Sequence, residues 1–192
     1  MDDSEKLKQE RLLKEIVYLE SESVMVVGDL HLNSSTPKMR LDDYPTTTLN
    51  KLNQLHTRAV ESGSKVVILL GDIFHQTQQS QTYLNEVAKV FKRFQDSGII
   101  VFAIVGNHCV PYERLEYLDR TPLQSFFISG LIRNLNHLVL NGKYDFIGFD
   151  FPDKILPSSQ VGAVGSKQFM FAHRFYEYAL SDTSLTEKNI QN

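Results

Sequence analysis

Hydrophobic and polar positions along the chain fall into short apolar runs and longer amphipathic segments. Four apolar runs are too short for most helices and are rich in β-branched or aromatic side chains, so they predict buried strands. The runs are Val24–Val27, Val66–Leu70, Ile99–Val105 and Phe169–Ala172, the last within a predicted strand that starts at Gln168.

Two segments between the first three runs carry apolar residues three and four positions apart, which predicts amphipathic helices. They are Thr46–Glu61 and Tyr83–Gln95, and a glycine follows each of them closely. Further along, Asn141-Gly142 separates two short apolar segments and is a strong signal for a β-hairpin. Strands alternating with helices, followed by a hairpin, predict an α/β fold in which parallel pairing gives way to antiparallel pairing.

The N-terminal end of the chain carries a partial apolar face among charged residues, which predicts a helix over Asp2–Glu20. The residues of that face are Leu12, Leu13, Ile16, Val17 and Leu19. This helix is interpreted as lying on the domain or on a partner chain, with an oligomerisation arm as the less favoured alternative. The predicted organisation is an N-terminal helical extension (1–22), a main domain (23–180) and a polar tail (181–192).

Composition and charge narrow the function classes. The chain has 192 residues, enough for one domain with a substantial core. Its net charge of −3 argues against a generic polyanion binder, so any nucleic-acid contact must come from a local patch. The single cysteine, Cys109, cannot form an internal disulfide and fits a reducing compartment. Without an apolar run of membrane-spanning length or a signal-like N-terminus, the expected location is cytoplasmic, with no membrane contact.

Candidate chemistry follows each predicted strand. The residues after the four strands are Asp29 and His31, then Asp72, then Asn107 and His108, and finally His173. Because ligands bind at the carboxyl ends of strands in α/β sheets, these side chains could share one crevice. Each residue alone has a structural reading, as a cap, a turn former or a buried histidine. Their joint appearance after four strands favours a functional site.

The residue types in this set fit a divalent metal. An Asp-x-His segment in extended conformation would place Asp29 and His31 on one face, where they could bind one ion. Asp72 could bridge to a second ion, for which Asn107 and His173 offer an amide oxygen and an imidazole. Oxygen and nitrogen donors without thiolate favour Mn, Fe or Zn. Two such ions bind a phosphate and activate a water for in-line attack.

Three further side chains have candidate roles in the reaction. His108 is placed to donate a proton to a leaving oxygen or to stabilise the charged transition state. Lys38 and Arg40 lie in the polar loop that follows the first strand. They could contact a substrate phosphate, although most such pairs are solvated loop charges.

The strings GDLHL, GDIFH, GNHC and FAHR resemble, in order, four motifs of the calcineurin-like metallophosphoesterases. GDIFH is most similar to the nuclease subunit of recombination-repair complexes, a group that includes bacterial SbcD, its phage counterparts and the eukaryotic meiotic-recombination nuclease. The resemblance implies an α/β (α+β sandwich) fold, with two packed mixed β-sheets flanked by helices and a two-metal site at the strand ends.

Carried over residue by residue, the resemblance implies five metal ligands, namely Asp29, His31, Asp72, Asn107 and His173. It makes His108 the catalytic histidine and places His75 beside the site, near the substrate strand. It also implies Mn as the preferred metal, with Mg, Fe and Zn as alternatives, and a site of one or two ions. The implied partners are DNA, a second copy in a homodimer and an SbcC-type coiled-coil ATPase.

Two departures from the family pattern leave alternatives open. Cys109 stands where the family usually has an acidic residue, and none of the 19 residues after His173 is a histidine, whereas the family ends its site with Gly-His-x-His. The first hypothesis is a metal-dependent phosphodiesterase, in particular a DNA nuclease, with an incomplete or externally completed site. The second is a weakly active or inactive relative that binds DNA or a nuclease partner and acts as a regulator or competitor. A small-molecule phosphoesterase is a third.

Overall fold

The computed structural model describes residues 16–151 and 166–173, which form two four-stranded sheets with helices on one side. The strands are β1 (Ile16–Leu19), β2 (Val24–Val27), β3 (Val66–Leu69), β4 (Ile100–Ala103), β5 (Arg133–Asn134), β6 (His137–Leu140), β7 (Tyr144–Phe149) and β8 (Lys167–Ala172). The α-helices are α1 (Tyr44–Glu61), α2 (Gln81–Asp96) and α3 (Pro122–Ile128), and short 3₁₀ helices cover Asn107–Cys109, Pro111–Glu113 and Leu115–Arg120.

The first sheet has the order β2-β3-β4-β5 and is entirely parallel. Helix α1 connects β2 to β3, and α2 connects β3 to β4, so the carboxyl ends of these strands lie at the same edge. Both helices begin with a side-chain cap, because Asp43 accepts a hydrogen bond from Thr46 N and Ser80 accepts one from Tyr83 N. These strands and helices confirm the predicted alternation, with end shifts of one or two residues.

The second sheet has the order β1-β6-β7-β8 and is mixed, with the β6–β7 hairpin antiparallel and the other pairs parallel. The hairpin turns at Asn141 (φ 54°) and Gly142 (φ 63°), as a type I′ turn requires. The Asn141 side chain also accepts a hydrogen bond from Ser21 N (3.0 Å) and donates one to Ser21 O (2.8 Å). The turn therefore fixes the segment that links β1 to β2.

The helix predicted over Asp2–Glu20 is wrong for the part that the structure describes. Residues 16–19 form β1, which pairs in parallel with β6 in register Ile16 to His137. Pairing with β6 partly buries Val17 and Leu19 against the second sheet's core and leaves Tyr18 70% exposed. Alternating burial of this kind suits a strand, so tertiary pairing overrides the helical spacing. Residues 1–15 and the predicted tail, 181–192, lie outside the described residues.

Alternate residues of the first sheet enter two different cores. Val66 and Ile68 of β3 pack with Leu138 of β6 and Phe146 of β7, which places one core between the sheets. The neighbouring positions of β3 pack against α1, α2 and α3 in the other core, which includes Leu52, Phe91 and Phe126. Burial on both faces explains why β3 reads as an unbroken apolar run.

The α/β sandwich expected from the sequence is confirmed, with one mixed sheet and one entirely parallel sheet. Within the described ranges, no helix combines the length and the apolar character needed to cross a membrane.

Candidate metal centre and active site

Asp72 lies at the centre of the site, in the loop that follows β3, and is only 3% exposed. Its φ of 39° and that of Gly71 (102°) turn the chain sharply at the strand end. Asp72 Oδ1 accepts a hydrogen bond from His108 N at 3.0 Å, and Oδ2 lies 3.3 Å from His173 Nε2. Burial raises the pKa of this carboxyl, but the hydrogen bonds and charges of His173 and His108 outweigh burial and leave the pKa below its usual value.

Asp29 and His31 reach the site from the end of β2. His31 Nε2 lies 3.9 Å from Asp29 Oδ2 and 3.7 Å from Asp72 Oδ2. The segment is not extended as expected, because His31 has a φ of 48°. This conformation lets His31 N donate to Asp72 O (2.9 Å) and Leu32 N donate to Ile73 O (2.8 Å), so the two loops pair beyond their strands. Loop pairing, and not strand alternation, brings His31 to Asp72.

Asn107 and His108 come from the 3₁₀ turn that follows β4. Asn107 is buried and its Oδ1 lies 2.9 Å from His173 Nε2. Gly106, before the turn, packs directly on Asp72, and a Cβ there would overlap Asp72 N and Oδ1. The missing side chain at Gly106 thus allows the third loop to approach the second.

His173, at the end of β8, comes from the second sheet. Its Nδ1 donates to Leu70 O at 3.1 Å, since a carbonyl can only accept, which leaves Nε2 facing Asn107 Oδ1 and Asp72 Oδ2. An unprotonated nitrogen facing two oxygens is unfavourable, so this position suits either a proton or a cation. The hydrogen bond to Asp72 accordingly raises the pKa of His173, although burial opposes it. Gly71 makes room for the ring, because a Cβ there would lie 2.6 Å from His173 Nδ1.

Three imidazoles line the open side of the site. The rings of His31, His75 and His108 have centroids 5.2–5.4 Å apart, and those of His75 and His108 are stacked. His75 and His31 approach through their Nδ1 atoms at 3.2 Å, and His108 Nδ1 donates to His75 O at 3.1 Å. Burial, together with the neighbouring His31 and His108, lowers the pKa of His75. His75 therefore stays neutral at neutral pH and can share one hydrogen with His31.

The distances in the site suit divalent cations. Asp29, His31 and Asp72 each offer one ligand atom, and these atoms lie within 4.8 Å of one another. Two ligand atoms that are each about 2.1 Å from one ion are about 3.0–3.4 Å apart. The Asn107–His173 and Asp72–His173 separations of 2.9 and 3.3 Å match this spacing, and the His31 separations are slightly longer. The donors are oxygen and nitrogen, as Mg, Mn, Fe and Zn accept.

Cys109 does not add a thiolate to this donor set. The side chain is buried in the core between the first sheet and the helices. Burial raises its pKa to about 11, so it stays a neutral thiol at neutral pH. Cys109 therefore packs as a small apolar side chain where the family usually has an acidic residue.

Lys38 and Arg40 lie in the loop between His31 and α1. Arg40 makes two hydrogen bonds to Asp42 (2.8 and 2.9 Å), and its guanidinium stacks over the Tyr44 ring at 4.6 Å. Lys38 is exposed. The loop is tied to the site, because the Tyr44 hydroxyl donates to His31 O at 3.1 Å. A phosphate contact by Lys38 or Arg40 stays a prediction.

Two residues near the site were missed by sequence reasoning. Tyr44 supports the His31 carbonyl, and Asp150 accepts a hydrogen bond from Val105 N at 2.7 Å, two residues before Asn107. Asp150 follows an apolar strand, as Asp29 and Asp72 do, and this signal was available in the string GFDF.

Comparison with protein families identifies the fold and its chemistry. The calcineurin-like phosphoesterase profile matches residues 23–180, more than half of the chain. The chain belongs to the calcineurin-like phosphoesterase family. Members of this metallophosphoesterase family use divalent metals to hydrolyse phosphoesters, and the clustered Asp29, His31 and Asp72 fit that chemistry.

Individual proteins that resemble this calcineurin-like phosphoesterase include two with nuclease or DNA-repair names. One is the DNA double-strand break repair protein Mre11 of Archaeoglobus fulgidus, 37% identical over 51 residues, which cover 27% of this chain and 12% of the relative. The other is the nuclease MPE of Pseudomonas putida, whose crystal structure matches 70% of this chain and 57% of its own, with 18% identity and a TM-score of 0.43. The chain therefore spans a small part of the first relative and just over half of the second.

Proposed function

We propose that this chain is a metal-dependent phosphodiesterase that acts on DNA. The observation that carries the proposal is the convergence of Asp29, His31, Asp72, Asn107 and His173 from four strand ends, with ligand-atom separations of 2.9–3.9 Å. Three of the five, His31, Asn107 and His173, are polar side chains that lie buried or half-buried beside Asp72. Burying several polar groups together is costly unless each has a partner. Such a set suits the binding of divalent ions.

Each proposed ligand has a definite place in the site. Asp29 and His31 would hold one ion, Asn107 and His173 a second, and Asp72 would contribute to both. When bound, divalent ions supply positive charge to the phosphate oxygens and lower the pKa of the attacking water. Mn is the proposed metal, and Mg, Fe or Zn would fit the same donors.

The remaining polar residues would act on the substrate. His108 Nδ1 is committed to the His75 carbonyl, so Nε2 is the nitrogen free to face a substrate. That nitrogen lies 4.0 Å from Asp72 Oδ2, and the side chain is 42% exposed, so a leaving oxygen could reach it. We assign His108 as the proton donor to the leaving oxygen. His75 keeps the His31 and His108 rings in place and would border the substrate.

DNA is the proposed substrate because the Archaeoglobus relative is named as a DNA repair protein. The net charge of −3 gives no general attraction to phosphate, so contact must be local. Lys38 is an exposed cation in the loop that follows His31, whereas Arg40 would have to leave Asp42 to bind a phosphate. The homodimer and the SbcC-type ATPase partner stay predictions.

The test uses purified chain with Mn²⁺ and two substrates, linear DNA and bis(p-nitrophenyl) phosphate. Wild type is expected to hydrolyse both, and Asp72→Asn should lose at least about 100-fold in rate because it weakens both ion sites. The matched control is Asp145→Asn. Asp145 is another buried carboxylate, which lies in β7 and pairs with His137 of β6. This control should keep wild-type turnover if it folds.

Two outcomes would overturn the proposal in different ways. Turnover of the reporter with intact DNA would identify a small-molecule phosphoesterase. A folded wild-type chain that binds DNA but hydrolyses neither substrate would identify the inactive relative, which the replacement of an acidic residue by Cys109 beside His108 favours.

A further inference from the structure

We infer that Asp150 is a positioning residue for the proposed metal site, an inference that rests on the proposed function. Asp150 directly follows β7 in the second sheet, whereas Asn107 and His108 follow β4 in the first. Its carboxylate fixes Val105, which precedes Gly106 and the 3₁₀ turn that carries Asn107 and His108. The buried contact thus joins the two sheets at the edge where the site lies.

The contact holds both backbone groups of Val105. Asp150 Oδ1 accepts from Val105 N at 2.7 Å, and Phe151 N donates to Val105 O at 2.9 Å. Asp150 and Phe151, the two residues that follow β7, therefore hold both the N–H and the C=O of Val105, one residue beyond Ile104, whose N–H still donates to Leu69 O. Asp150 is 5% exposed, so water does not compete for this hydrogen bond.

The carboxylate is itself held in place by the first sheet. Asn134 of β5 donates from Nδ2 to both oxygens of Asp150, each at 3.1 Å. The bidentate contact fixes the plane of the carboxylate and directs Oδ1 at Val105. Asn134 thus restrains the Asp150 carboxylate, and the carboxylate in turn restrains Val105.

A displacement at Val105 would reach the metal ligands within one or two residues. Gly106 lies against Asp72 with no space for a side chain, so the turn has no free volume on that side. The next residues supply Asn107 Oδ1, 2.9 Å from His173 Nε2, and His108 N, which donates to Asp72 Oδ1 at 3.0 Å. Loss of the Asp150 contact should therefore loosen one ligand and one hydrogen bond of Asp72.

The experiment compares Asp150→Ala, Asp150→Asn and the control Asp145→Ala, which removes another buried carboxylate, one that lies within β7, the strand that Asp150 directly follows. Mn²⁺ affinity is measured by calorimetry, amide exchange at Val105 and His108 by NMR, and stability by urea denaturation. Asp150→Ala should weaken Mn²⁺ binding by about 10–100-fold, as is typical when the support of a ligand is lost, and should speed exchange at both amides.

The other variants separate positioning from general stability. Asp150→Asn keeps an oxygen for Val105 N, and Asn134 can turn its amide to pair with it, so affinity should return to within about 3-fold of wild type. Asp145→Ala should lower stability while leaving Mn²⁺ affinity and His108 exchange unchanged. If Asp150→Ala does not fold, Asn134→Ala removes the amide that restrains the carboxylate and should show a smaller loss of affinity.

The inference is overturned if folded Asp150→Ala binds Mn²⁺ and protects the His108 amide like wild type, or if Asp145→Ala loses affinity equally. Failure of the proposed function has a different signature. A wild-type chain that binds Mn²⁺ without hydrolysing a phosphodiester would refute the function and leave the affinity comparison valid. If wild type binds no Mn²⁺, exchange at Val105 and His108 still decides whether Asp150 holds the turn.

Discussion

Replacement of Gly106 by alanine should damage the metal site without changing any metal ligand. Gly106 has ordinary extended backbone angles (φ −93°, ψ 172°), so alanine adds no backbone strain. Its Cβ would, however, overlap both N and Oδ1 of Asp72, and the backbone nitrogen cannot rotate away. The Gly106 turn and the Asp72 loop must therefore separate by about 1 Å to reach an ordinary contact distance.

This separation gives the size of the expected effect. Forcing one extra carbon into a packed site costs about 1–3 kcal/mol of stability. A misplacement of about 1 Å near reacting groups costs about 100-fold in rate, or about 2.7 kcal/mol. We therefore expect Gly106→Ala to fold, with Mn²⁺ affinity and reporter turnover each lowered by about 100-fold. Calorimetry and hydrolysis of bis(p-nitrophenyl) phosphate measure the two effects.

The control is Gly28→Ala, because Gly28 also directly precedes a proposed ligand, Asp29. A Cβ at Gly28 would meet no atom within 4 Å, so both quantities should stay within about 2-fold of wild type. If Gly106→Ala binds Mn²⁺ and turns over substrate as well as Gly28→Ala does, the close packing of the two loops does not determine the site geometry. That result would refute the steric argument.

Three further predictions concern protonation, thiol reactivity and the hairpin. The raised pKa of His173 stabilises the metal-free fold below pH ~6.5, and the lowered pKa of Asp72 stabilises it above pH ~4. The difference in free energy of unfolding between wild type and His173→Gln, measured by urea titration, should therefore be larger at pH 5.5 than at pH 9. The reverse order would contradict the pairing of His173 with Asp72. The Cys109 thiol, whose pKa burial raises to about 11, should escape iodoacetamide at pH 7 in the folded protein; complete native alkylation in mass spectra would contradict its burial. Asn141→Ala should lower the free energy of unfolding by about 1–3 kcal/mol, because two hydrogen bonds to Ser21 are lost, while Mn²⁺ affinity stays unchanged; a loss under about 0.3 kcal/mol would show that the turn does not hold β1 in place.

The sequence predicted the parts of the fold that depend on local pattern. Period and turn residues identified β3, β4, the β6–β7 hairpin and both long helices, because burial on both faces or on one helix face leaves a distinct repeat. The apolar run Val24–Val27 also identified β2, but the prediction that this strand is buried is wrong, because β2 is only partly buried and Val26 is 44% exposed. The strand β1 was missed because IVYL fits a helix or a strand by composition. Its state is decided by pairing with β6, about 120 residues away in sequence.

The candidate site was predicted as a list of residues, but its geometry was not. His31 was expected on an extended segment and instead has a left-handed backbone conformation, which loop pairing with Asp72 stabilises. The string GFDF marks Asp150 as a polar residue at a strand end, but its contact with Val105 joins two sheets and depends on how the sheets dock, so the partner could not be predicted locally. The sequence also offered no reason for glycine at positions 71 and 106. The structure supplies it, because Gly71 lies against His173 and Gly106 against Asp72, with no space for a Cβ at either position.

The central claim, that the strand ends form a divalent-metal site, is tested most directly by anomalous diffraction from crystals soaked in Mn²⁺. The account predicts a manganese peak about 2.0–2.3 Å from Asp72 Oδ2 and His31 Nε2, with a second peak beside Asn107 Oδ1 and His173 Nε2 at higher Mn²⁺ concentration. Well-ordered crystals that show manganese only at surface carboxylates, with the His173–Asp72 contact unchanged, would contradict it.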